Sequence, residues 1–211
     1  MTTLLTLLIG YPFAYFTAGL PPKKRSLALM LVIVPFWTNS LVRIYGWMIL
    51  LRGQGVVNSL LAALGLIDAP LKLLYNFGAV LVGMVYALIP FMILSVYNAV
   101  AKLDPALIEA ARDLGAGRWR AFWTITVPMT RAGIMAGCVL VFIPSIGLFF
   151  ISDLLGGSKT MLLGNLIRDE LLTARNWPLG AALSVVMMAA TLLVIGGYRR
   201  LSGEKSLEGI V

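Results

Sequence analysis

Long apolar blocks, too many for one small core, constrain this chain more than any other feature. A helix that crosses a bilayer needs about 20 mostly apolar residues, and several blocks here reach that length. Of the 211 residues 60% are hydrophobic and 12% charged, whereas a soluble domain carries about 25% charged residues. A soluble core of this size cannot hide so many apolar side chains, so lipid is the expected solvent. The reading is all-α: a polytopic membrane protein of about five transmembrane helices in one domain, residues 1–211. The spans are expected at residues 3–18, 27–51, 77–100, 132–151 and 179–198. Pro35, Pro90 and Pro144 fall inside three of them; neighbouring helices can re-satisfy the carbonyls that proline frees, and kinks are expected there.

The first block has the length of a signal peptide but lacks a basic n-region, because Lys23, Lys24 and Arg25 follow it instead. It reads as a short span entering from outside, and its shortness predicts that the chain is an N-terminally shortened form of a longer protein. The net charge of +8 would suggest nucleic acid in a soluble protein. Here the bases lie between apolar blocks, so they report topology and no nucleic-acid partner is expected. With five spans, residues 21–26, the loop 101–131 and the tail share one side and hold eleven bases, among them Arg199, Arg200 and Lys205. The other side holds six: Arg43, Arg52, Lys72, Lys159, Arg168 and Arg175. The positive-inside rule puts the richer side in the cytoplasm, with the N-terminus outside and the C-terminus inside. Short helices are expected in the two outer loops, near residues 57–67 and 161–172.

Several chemistries are disfavoured. The chain has no His, which removes the commonest general base and metal ligand. Its single Cys138 has no partner for an intramolecular disulfide, metal pair or redox pair and reads as a small apolar residue. No phosphate loop and no convincing carboxylate cleft is present. No metal site and no catalytic residue is assigned.

The informative loop is DPALIEAARDLGAGRWRAFWTITVP, residues 104–128. Asp104 suits a helix N-cap and Pro105 the first helical position. Residues 106–114 read as a short helix that Gly115 stops in a left-handed conformation, and a second short helix is expected near 117–123. Two short helices with glycine between them make a compact knob, and small alanines allow a close approach to a groove on a partner. The same composition also fits an interfacial loop whose Arg and Trp side chains anchor it to lipid headgroups.

The wording of the loop adds to this. Glu109-Ala110-Ala111, three residues, Gly115, nine residues, then Ile125-Thr126-Val127-Pro128 resembles the EAA signature of bacterial ABC importer permeases, with Val127 in place of the usual Leu. In that family the loop forms coupling helices that dock in a cleft of the nucleotide-binding subunit. The resemblance implies this contact for Glu109, Ala110, Ala111, Asp113 and Gly115. Further stretches resemble spermidine/putrescine permeases, in particular the B-type subunit of such systems: Val34-Pro35-Phe36-Trp37-Thr38-Asn39-Ser40, Leu88-Ile89-Pro90-Phe91-Met92, residues 147–157, and Asn176-Trp177-Pro178. That family normally has six spans, and the first is expected to be missing here.

The resemblance implies a transport subunit, not an enzyme, in the bacterial inner membrane. It implies a heterodimer with a second permease subunit and a cytoplasmic ATPase homodimer that binds the ATP and Mg, this chain binding no cofactor. It also implies a periplasmic or lipid-anchored substrate-binding protein, and a polyamine cargo moved by alternating access. A polyamine path should offer carboxylates, aromatic faces and neutral acceptors. Trp37, Tyr86 and Asp153 are the pathway candidates on that ground, and Asp169 and Glu170 could meet the binding protein or the entering cation. Each also has a plainer reading: Asp153 as a helix cap or a partner of Lys159, Trp37 as part of an aromatic belt, Asp169 and Glu170 as a solvated loop face. Arg43 is costly against lipid; snorkelling, pairing across a subunit interface and repelling a cation all remain open. Another small solute (an opine, thiamine or a metal-binding anion) and an ion-coupled secondary transporter are the alternatives.

Overall fold

In the computed structural model, which describes residues 1–157 and 160–202, the apolar blocks are helical and no strand occurs among the described residues. Helix α1 (Thr2–Ala18) leads to α2 (Pro22–Ile33), then α3 (Ser40–Leu51) and α4 (Val56–Ala63). Helix α5 (Phe77–Ala101) precedes α6 (Pro105–Asp113), α7 (Arg118–Ala121) and α8 (Val127–Gly147). The short helices α9 (Phe149–Gly156) and α10 (Leu163–Arg168) precede α11 (Trp177–Ser202).

Among the described residues three helices are long and apolar enough to cross a membrane: Phe77–Ala101, Arg118–Gly147 and Trp177–Tyr198. A fourth span forms if the bent pair Pro22–Trp37 and Ser40–Ala63 counts as one. Helix α1, an apolar helix of 17 residues, sits at the short end of the spanning range.

Two expected spans differ from the structure. The second, expected as one span over 27–51 interrupted by Pro35, is fully broken beside that proline: α2 passes into a 3₁₀ turn, Val34–Trp37, and α3 leaves at 97°. The cause is local hydrogen bonding. Thr38 Oγ1 donates to the Pro35 carbonyl at 2.7 Å, and Asn39 caps α3 by accepting from Leu41 N at 2.8 Å, so the backbone groups freed at the break are partly satisfied. The fourth span, expected at 132–151, starts earlier, because Arg118–Gly147 runs as one helix of 30 residues, and stops at Leu148, after which α9 begins anew.

Packing divides the chain into two compact units. The first gathers Met1–Thr2, Ile33–Leu88 and Phe142–Thr191. Its core joins Ile44 of α3, Val80 and Met84 of α5, and Ile151 and Leu155 of α9, all nearly inaccessible. Buried Asn58 ties down its loop: Nδ2 donates to the carbonyls of Arg52 (3.2 Å) and Leu71 (3.0 Å), and Oδ1 accepts from Leu71 N at 2.9 Å.

The second unit takes in Thr3–Val32, Ile89–Val141 and the described residues from Leu192 on. Here α8 lies against α5 with almost no side chain between them. A Cβ on Gly133 would collide with Ala99 and come within 2.9 Å of the Ser95 carbonyl, and Ser95 Oγ donates to the Gly133 carbonyl at 2.9 Å. Small residues with an interhelical hydrogen bond are the usual means of joining helices where lipid removes the hydrophobic drive. Helix α1 is fixed to α8 by Tyr11 OH and Thr130 Oγ1, 3.0 Å apart and both buried.

Candidate coupling elbow and cation cluster

The loop after α5 folds much as its residues dictate. Asp104 caps α6, its Oδ1 accepting from Ala106 N at 3.0 Å, and Pro105 occupies the first turn. Gly115 adopts φ +85°, a left-handed conformation that costs any residue with a Cβ about 1–2 kcal/mol. The turn is closed by Gly115 N donating to the Arg112 carbonyl at 2.9 Å and Ala116 N to the Ala111 carbonyl at 3.0 Å. Of the five coupling candidates, Glu109, Ala110, Asp113 and Gly115 are exposed and Ala111 is half-buried. Leu114 at the tip is 89% exposed.

The second short helix, expected near 117–123, is α7 with a π-helical turn, Phe122–Thr126, that runs straight into α8. The π turn centres on an aromatic cluster. Phe122 makes edge-to-face contacts with Tyr11 (5.7 Å between centroids), Tyr15 (5.5 Å), Trp119 (6.3 Å) and Trp123 (5.4 Å). Such pairs contribute about 0.5–1.5 kcal/mol each beyond area burial. The elbow is thereby fastened to the start of α8 and to α1.

In the first unit the structure builds a charged cluster on α9 and α10. Asp153 lies on α9, beyond the break at Leu148, rather than at the end of the long helix. Its Oδ1 accepts from Asn165 Nδ2 at 2.6 Å and its Oδ2 from Arg168 Nη1. Arg168 also grips Asp169, donating to Oδ1 from Nη2 at 2.7 Å and from Nε at 3.0 Å, and its guanidinium lies 5.3 Å from the Phe149 ring centroid. One cation is therefore held by two carboxylates, with an aromatic face beside it. Glu170 is half-exposed and follows directly on the same element. The alternative partner for Asp153, Lys159, lies outside the described residues, as does Lys205 of the tail.

Tyr86 on α5 is half-buried. It stacks edge-on with Trp47 at 5.5 Å and presents a face to Arg43, 5.7 Å from its centroid, while Phe36 covers Arg43 from 4.7 Å. The guanidinium Nε is buried without a hydrogen-bond partner, so aromatic faces supply the stabilisation. Trp37, by contrast, is 84% exposed and stands at the end of the 3₁₀ turn. Sequence reasoning missed Arg168 and Asn165. They lie 15 and 12 residues from Asp153, and the only available signal was their three-residue spacing on one short helix.

Comparison with known proteins places this geometry. The family model for the binding-protein-dependent transport system inner membrane component matches residues 10–204. The spermidine/putrescine transport system permease protein PotB of Escherichia coli is 49% identical over 208 residues, covering 97% of this chain and 76% of the relative. The protein of the same name from Haemophilus influenzae is 48% identical over 200 residues, covering 95% and 70%. Among solved structures, a bacterial ABC transporter involved in the import of the acidic polysaccharide alginate superposes with a TM-score of 0.74 at 21% identity, covering 96% of this chain and 77% of that one. The same kind of transporter in complex with an alginate pentasaccharide-bound periplasmic protein gives 0.75 at 20% identity, covering 97% and 76%. At that identity the likeness concerns the fold. The chain belongs to the family of binding-protein-dependent transport system inner membrane components, and is a multi-pass permease subunit of an ABC importer.

Proposed function

We propose that this chain moves spermidine- or putrescine-type polyamines into the cytoplasm, as one of two membrane-spanning subunits of an ATP-driven importer. The observation that carries the cargo assignment is the 49% identity to a spermidine/putrescine permease over nearly the whole chain. The chemistry of the first unit agrees with it: two carboxylates hold a guanidinium against a phenyl ring, and anionic and aromatic groups of this kind also attract an ammonium group.

In this reading the whole chain acts as one permease domain beside a second, related permease. A cytoplasmic ATPase homodimer binds ATP and Mg, and a periplasmic or lipid-anchored protein delivers the cargo. Glu109, Ala110, Ala111, Asp113 and Gly115 seat the elbow in the ATPase. Closure of that dimer pulls α6 and α7, and the aromatic cluster around Phe122 passes the movement to α1 and α8. Asp153, Asp169 and Glu170 meet the cation on the outer side, and Tyr86 and Trp37 offer it aromatic faces deeper in. The chain itself makes and breaks no covalent bond.

The test is ATP-dependent uptake of labelled spermidine and putrescine into proteoliposomes that hold the complete importer. Glu109→Lys places a cation on the docking face and is expected to abolish uptake and release the ATPase during purification. Undiminished uptake by that variant, or no polyamine uptake by the fully assembled wild type, overturns the proposal.

A further inference from the structure

The second unit contains a groove of about 940 Å³ beside the residues assigned to ATPase contact. One wall is α1, with Leu7, Leu8 and Pro12; Ile134 of α8 and the cluster around Phe122 form the other. Two guanidinium groups, Arg112 and Arg118, stand at its α6–α7 end, and both residues are exposed. Neither forms an ion pair: among the described residues every salt bridge belongs to Arg168, although Glu109 and Asp113 share α6 with Arg112. The groove is thus apolar along its length and cationic at one end. Trp119 and Trp123, 77% and 63% exposed, flank that end as aromatic residues do at a membrane–water boundary.

We propose that this groove is a binding site for an anionic phospholipid of the cytoplasmic leaflet. The acyl chain lies against Leu7, Leu8, Pro12 and Ile134, and the phosphate sits between Arg112 and Arg118. The argument for a lipid over a protein segment is charge and position together. Basic groups at the cytoplasmic end of membrane helices, next to an apolar slot, match an amphiphile with one anionic head, whereas a docking peptide would leave the long apolar wall to lipid in any case. The site adjoins the elbow without using the residues assigned to ATPase contact. The lipid would brace α1 against the π turn, so that the elbow is stiff only in a membrane that supplies it.

The experiment uses the whole importer in nanodiscs doped with a photoreactive phosphatidylglycerol, with crosslinked peptides mapped after illumination. The label is expected on peptides of α1 and α7, competed by unlabelled phosphatidylglycerol and not by phosphatidylcholine. Arg112→Gln and Arg118→Gln are each expected to lower labelling about fivefold. Leu8→Trp, which fills the slot and leaves both arginines in place, is expected to abolish it; this variant decides the matter if the arginine variants fail to assemble. Equal competition by phosphatidylcholine, or full labelling in Leu8→Trp, overturns the proposal. So does loss of the ATPase from the arginine variants with labelling unchanged, which would assign the guanidines to a protein partner.

Discussion

Arg168 is a cation already seated where the proposed cargo would bind, and replacing it by glutamine measures that competition. Its Nη1 donates to Asp153, and Nε and Nη2 both donate to Asp169. Side-chain exposure is 30% for Arg168 against 35% and 38% for the two aspartates. A fully exposed pair contributes about 0.2–1 kcal/mol, and breaking a buried one costs about 3–5 kcal/mol. At one-third exposure, detaching Arg168 from Asp153 should cost about 1.5 kcal/mol, close to tenfold in affinity. An ammonium group that takes Asp153 bears this cost in the wild type. Arg168→Gln removes it, and the dissociation constant for spermidine should fall about tenfold. Asp153→Asn should raise it by a similar factor, and adding Arg168→Gln to Asp153→Asn should give a smaller gain, because only Asp169 is then released. The assay is equilibrium binding of labelled spermidine to the permease–ATPase complex without the delivery protein, whose own selectivity would mask the effect. An unchanged constant in Arg168→Gln, or an undiminished gain on the Asp153→Asn background, refutes the reasoning.

Three other outcomes follow from the packing. Gly115→Val forces a β-branched residue to φ +85°, and the turn between α6 and α7 should lose about 2 kcal/mol; ATPase activity stimulated by cargo should fall while the membrane helices keep their thermal stability. Asn58→Leu strands Leu71 N, while the carbonyls of Arg52 and Leu71 keep Gly55 N and Leu73 N as donors; this should destabilise the loop by about 2 kcal/mol and expose residues 64–76 to limited proteolysis from the outer side. Gly133→Leu pushes into Ala99 and the Ser95 carbonyl; detergent-solubilised protein should unfold at a lower temperature, whereas Gly133→Ala should retain part of the loss.

Much of this was readable from the residues because it is local. The α5 block and the α11 block are continuous runs of apolar side chains, and hydropathy alone places both to within a few residues. The cap at Asp104 and the reversal at Gly115 are properties of single side chains. The interruption near Pro35 was readable, and the chain breaks just after it, at Thr38–Asn39. The break at Leu148 was not, because apolar residues continue on both sides and a hydropathy window passes through them; Pro144 remains inside α8, four residues before it. The partners of Asp153 were hidden for a different reason. Which base reaches a carboxylate depends on how α10 folds back beside α9, and nothing in the spacing of charges encodes that return.

The π turn at Phe122–Thr126 leaves the elbow and the long helix after it out of phase by one surplus residue. Handing that surplus to the next position along α8 would exchange few backbone bonds and turn by about 100° only the residues the bulge passes. Such a step re-aims a few side chains at the near end of the rod and leaves its far end where it was.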